Sequence, residues 1–145
     1  MIYKDYNFPG DLLLISKVFW QTLFYRRLVH RKPLPEILAD IIEVPSDKNK
    51  RKILDPLEQE ELDKINRAAN FLLLKILHVE KPCLPRSLVL FRWCSLNAIE
   101  AKIIIGVKKA ERLLQGHSWL LIEGRPYHED LQHLEEYTIM LEGSN

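Results

Sequence analysis

Up to Asn97 the apolar residues of this chain recur at helical spacing. After it, the β-branched run Ile103-Ile104-Ile105-Gly106-Val107 takes over. That change of period constrains the fold more than any other feature. A set spaced three and four apart gives one helix face, whereas a β-branched run favours a strand. Helices come first and an antiparallel sheet second, which predicts an α+β fold.

The helical part divides further. Leu12, Leu13, Ile15, Val18, Phe19, Leu23 and Phe24 predict an amphipathic helix over 10–30. It ends in the basic cluster R-R-L-V-H-R-K, residues 26–32. Basic side chains complement the negative end of a helix dipole, and they also suit an acidic peptide partner. Pro33 and Pro35 interrupt the chain, and residues 34–44 predict a short second helix. The polar segment 45–52 reads as an exposed loop. Asp55-Pro56-Leu57-Glu58 then combines a cap, a proline at the first helical position and a glutamate three residues after the cap. This third helix is expected to run to about residue 79.

A fourth helix, over 84–97, starts at the stretch P-C-L-P-R-S, residues 82–87. Pro85 fits only in a first turn, because deeper in a helix it would remove a hydrogen bond and clash. Cys83 is therefore held at a helix N-terminus. Unpaired N–H groups and the helix dipole there lower a thiol's pKa, and the thiolate is the nucleophile. The same amides can hold an oxyanion. A buried packing cysteine fits the position equally. Cys94, mid-helix, has no such environment and reads as packing. Three helical turns separate the two, so they cannot form a disulfide on one straight helix.

The strands are expected at 101–107, 117–122, 125–130 and 137–141, with a polar loop over 108–116. Strand alternation puts His117, Trp119 and Leu121 on one face, and Ser118, Leu120 and Ile122 on the other. His117 is the candidate base. The turn at Glu123-Gly124 decides which acid can orient it. A three-residue loop asks for positive φ only at Gly124 and sets His117 opposite Glu129. A two-residue turn forces Glu123 to positive φ as well and sets His117 opposite Asp130. Glycine tolerates that conformation better than glutamate, which favours Glu129.

Composition excludes other classes. The 21 basic and 20 acidic side chains leave a net charge of +1, so no global field draws the chain to nucleic acid. At 47% hydrophobic and 28% charged, its 145 residues suit a single soluble domain over 1–145, helical over 1–80 and carrying its chemistry over 81–145. The apolar stretch 11–20 contains Lys17 and is too short to span a bilayer, and the first residues lack the order of a signal peptide. Two cysteines do not make a disulfide scaffold, so a cytoplasmic location is expected. No paired Cys/His spacing suggests a metal, and no cofactor is expected.

Four motifs occur in order: C-L-P-R-S-L-V-L-F-R, A-I-E-A-K-I-I-I-G-V-K-K, G-H-S-W-L-L-I and E-G-R-P-Y-H-E. Together, over about residues 82–130, they resemble the transglutaminase-like leader peptidases of lasso-peptide biosynthesis. The resemblance implies a papain/transglutaminase-like core, with a catalytic helix packed on a small antiparallel sheet. It implies a Cys-His-acid triad of Cys83, His117 and an acid about twelve residues later. That position is Glu129, where the family usually has Asp, and Asp130 is its neighbour. Arg86 and Trp119 become candidates for substrate contact. The substrate would be a ribosomally made precursor peptide, presented by a separate leader-binding protein and passed to an ATP-dependent cyclase. A transglutaminase-like acyltransferase with the same triad, or a non-catalytic peptide-interaction module, are the alternatives.

Overall fold

A computed structural model describes residues 10–42 and 53–145. Among them are five α-helices and one four-stranded antiparallel sheet, the expected α+β arrangement. Helices α1 (Gly10–Leu28), α2 (Leu34–Ile42), α3 (Pro56–Phe71) and α4 (Cys83–Leu96) precede the sheet. Strands β1 (Ala101–Ala110), β2 (Leu113–Ile122), β3 (Arg125–Pro126) and β4 (Thr138–Ser144) follow, with the one-turn helix α5 (Leu131–Leu134) before β4. The strand order is β3-β2-β1-β4. The expected loop at 45–52 lies outside the described residues.

The start of α3 is capped as its sequence predicts. Asp55 accepts from the Glu58 amide at 2.8 Å, and the Glu58 carboxylate accepts from the Asp55 amide at 3.1 Å. Its far end differs from the expectation, because the last turn widens into a π-helix over Leu72–Ile76. In α1 the buried stripe is Val18, Thr22 and Tyr25, spaced four and three apart. Leu12, Leu13, Trp20 and Phe24 are exposed, so apolar residues occupy more of α1 than its buried face can cover.

Helix α4 is the central element. Ser87, Leu88, Val89, Leu90, Phe91, Cys94 and Ser95 are all buried. One cluster joins Val18 and Tyr25 of α1, Ile37 of α2, Leu62 of α3 and Phe91 of α4 to Ile103 and Leu120 of the sheet. The helical half and the sheet thus share one core. The opposite sheet face buries a smaller cluster of Ile104, Trp119 and Leu134, with Leu121 and Tyr137 packed on it. Alternation along β2 sorts its side chains between these clusters.

Two strand boundaries differ from the expectation. Residues 108–116 are mostly strand: β1 and β2 pair from Ala101↔Ile122 out to Ala110↔Leu113, and only Glu111 and Arg112 turn. Glu111 takes the positive φ (55°) that so tight a turn requires. The exposed Leu113 and Leu114 gave the segment no half-buried alternation to be read by. Strand β3 is only two residues long, for a reason that bears on the site. Among the described residues no helix is long and apolar enough to cross a membrane.

Candidate active site

Cys83 is the first residue of α4, preceded by Pro82 in the N-cap position with no side-chain cap. The Arg86 amide is the first to reach back, to the Pro82 carbonyl at 3.2 Å. Pro85 has no N–H, which leaves the amides of Cys83 and Leu84 as the donors of the first turn. The Cys83 side chain is partly buried and is not in a disulfide.

His117 lies on β2 opposite Gly106 of β1. A Cβ at Gly106 would stand 3.0 Å from the Tyr137 Cβ and 3.1 Å from the Trp119 ring, so any larger residue there would push on both. The space it leaves lets Trp119 stack on His117, with ring centroids 5.7 Å apart and planes 24° apart. Tyr137 packs against both rings. Trp119 is 5% exposed and belongs to the smaller core cluster. It stacks on the imidazole from within the core and is not among the residues that line the groove at Cys83.

Glu129 meets His117, Oε1 to Nε2, at 2.8 Å. The route to this contact differs from the one expected. Pairs Ile122↔Arg125 and Leu121↔Pro126 leave a two-residue turn, with φ of 54° at Glu123 and 79° at Gly124. The left-handed conformation costs a non-glycine residue about 1 kcal/mol. Here the Glu123 carboxylate accepts from the Leu54 amide at 2.7 Å, and its own amide donates to the Glu100 carbonyl at 3.3 Å. Bonds from outside the hairpin hold the turn that local propensity disfavours. Had β3 continued in this register, His117 would face Asp130. Pairing stops at Pro126, and His128 takes φ of 52°. That reversal delivers Glu129 to His117. Asp130 caps α5 instead, accepting from the Gln132 amide at 3.1 Å.

The helical half holds this segment in place. Asp63 Oδ1, on α3, accepts from the Tyr127 hydroxyl and from Gln59 Nε2 at 3.0 Å, and lies 3.0 Å from His128 Nε2. Burial raises the Asp63 pKa, but its hydrogen bonds with Tyr127, His128 and Gln59 outweigh that and hold it below the usual carboxylate range. Arg86 sits on the same side. Its guanidinium donates to Asn70 Oδ1 at 3.1 Å and lies 3.9 Å from the Glu129 carboxylate. Arg86 thus lies beside the acid and is not among the residues that line the groove at Cys83. Asp63, Asn70 and Tyr127 were not legible as site residues, because their partners are 16 to 65 positions away.

The electrostatics point one way. Burial raises the Cys83 pKa, yet hydrogen bonds from His117 and the Ser118 amide, with the charges of His117 and Arg86, bring it below its ordinary value. The hydrogen bond with Cys83 raises the His117 pKa; burial opposes it, and the Glu129 bond and charge add to the rise. A thiolate–imidazolium pair is favoured from both sides. With Nε2 on Glu129, Nδ1 is the nitrogen left for the thiol. Cys94, fully buried on the same helix, is pushed up to about 12 by burial.

Cys83 and His117 open onto a groove of about 590 Å³. The C-terminal end of α1, residues 78–81 and the middle of β2 form its walls. No group of three His, Cys, Asp or Glu side chains that could hold a metal occurs among the described residues.

No curated protein and no solved structure gives a significant match to the chain. A family model described as the transglutaminase-like superfamily matches residues 29–142. The match takes in α2 and α3 as well as the four motifs, so the helix that holds Asp63 and Asn70 lies within the matched span. On that span, the chain belongs to the transglutaminase-like superfamily.

Proposed function

We propose that the protein is a cysteine peptidase that removes the leader from a ribosomally made precursor peptide, in the manner of lasso-peptide maturation. One observation carries the chemistry: a helix-start thiol, an imidazole and a carboxylate are joined in series beside an open groove. The leader-peptidase assignment rests on the four ordered motifs at 82–130.

In this reading the Cys83 thiolate attacks the scissile carbonyl. The amides of the first turn of α4 hold the developing oxyanion. His117 protonates the leaving amine, then deprotonates the water that hydrolyses the thioester. Glu129 fixes the imidazole and stabilises its charged form. Trp119 restrains the ring from behind, and Arg86 braces Glu129. The peptide is presented by a separate leader-binding protein, and the product passes to an ATP-dependent cyclase. The reaction itself needs no cofactor.

The test is incubation with a candidate precursor, with and without the leader-binding protein, followed by mass spectrometry. Wild type is expected to release a core peptide heavier by one water than the peptide residues alone. Cys83→Ala is expected to lose at least about 10³-fold in rate while remaining folded. Cleavage retained by Cys83→Ala sinks the proposal. A product in which an amine replaces water assigns an acyltransferase instead.

A further inference from the structure

We infer that the groove beside Cys83 recognises a peptide segment in which a carboxylate side chain stands among apolar ones, with Arg26, His30 and Lys81 reading the carboxylate. The inference rests on Cys83 being the nucleophile and adds what its substrate must look like.

The groove has an apolar floor, built from Val29, Val79, Leu84 and Ile105. Arg26, His30, His78 and Lys81 contribute cationic or protonatable groups to its lining, against the single carboxylate of Glu80. Arg26, His30 and Lys81 have no ion pair or hydrogen-bonded acid among the described residues. The basic end of α1 is what its dipole asks for, but dipole complementarity is indifferent to which face the charges take. Arg26 and His30, four residues apart, share the face turned to the groove, whereas Arg27 and Arg31 of the same cluster do not line it. A second feature points to an occupant. Ser118 lies in the groove wall, is 1% exposed, and its hydroxyl has no hydrogen-bond partner among the described residues. A buried hydroxyl without a partner is costly unless a ligand group satisfies it. The positive end of α4 opens on the same space, so an anionic group meets favourable potential beside Arg26, His30 and Lys81.

The experiment reads the groove without relying on turnover. Wild type and the Arg26→Gln/Lys81→Gln double variant are alkylated at Cys83 with iodoacetate, which is anionic, and with iodoacetamide, which is neutral. The ratio of the two rates is expected to fall about threefold in the double variant at low ionic strength, and the difference to vanish near 1 M salt. In a second arm, two short apolar peptides differing only in a central aspartate or asparagine compete with iodoacetamide. The aspartate peptide is expected to protect Cys83 at about fivefold lower concentration in wild type and to lose that advantage in the double variant. An unchanged rate ratio in the double variant overturns the inference, as does equal protection by the two peptides. Cys83 unreactive towards both reagents overturns the peptidase reading itself.

Discussion

Helix α4 carries two cysteines, eleven positions apart, with opposite chemistry. Cys83 at the first residue has its thiol pKa lowered by His117, the Ser118 amide and Arg86, against the effect of burial. Cys94, under Phe91 and within the shared core, is pushed up to about 12 by burial with little to oppose it. Both lose water on folding. The difference is that the helix start leaves donors unspent and faces the middle of β2, which supplies an imidazole. The middle of the helix has used its amides in its own ladder. Burial alone makes a thiol inert; burial with converging donors makes it a nucleophile.

The largest effect that can break this contrast comes from His117. His117→Gln is expected to return Cys83 towards ordinary thiol behaviour, with iodoacetamide reactivity at pH 6 falling by about tenfold or more. In wild type the direction of each shift sets the active range. Activity is expected to set in as pH rises through the lowered Cys83 value and to fade as pH rises through the raised His117 value. An alkylation profile for Cys83 no different from that of a small free thiol would remove the contrast with Cys94.

Glu129→Gln comes next, with a loss on the order of 10²-fold in precursor cleavage, because the imidazolium loses its anionic partner. Asp130→Asn is expected to stay within about twofold, since asparagine caps a helix as well as aspartate does. Reversal of that order would hand the role to Asp130.

Asp63→Asn is expected to lower cleavage about three- to tenfold. It weakens the anchor that sets Tyr127 and His128, and so the placing of Glu129, while Cys83 alkylation stays closer to wild type. The smallest effect on activity is at Cys94. Cys94→Ser is expected to leave cleavage near wild type and to cost about 1–2 kcal/mol in a denaturant titration, through a hydroxyl buried where the thiol was. Loss of cleavage in folded Cys94→Ser would show that the two ends of α4 are not separable.

Much of this is legible in the sequence alone. Asp55-Pro56 and Pro82-Cys83-Leu84-Pro85 mark helix starts by rules that act within one turn. The β-branched run marks β1 in the same way. The pairing of Glu129 with His117 was anticipated, but through a hairpin register the fold does not adopt. Glu123 accepts a left-handed conformation because Leu54, 69 positions away, donates to its side chain, a bond no local rule can foresee. Residues 108–116 looked like a loop for a related reason: they are strand because the end of β1 pairs with the start of β2, though their outer side chains stay in solvent.

The sequence by itself determined the order of helices and strands, the position of Cys83 at a helix start and the inertness of Cys94, because backbone sterics and dipoles act over a few residues. Only the tertiary structure decided which carboxylate stands behind His117, that Arg86 and Asp63 secure the segment bearing it, and that Trp119 faces inward. Those outcomes depend on where separate elements meet, and closing long stretches of chain is settled by the summed burial of the shared core.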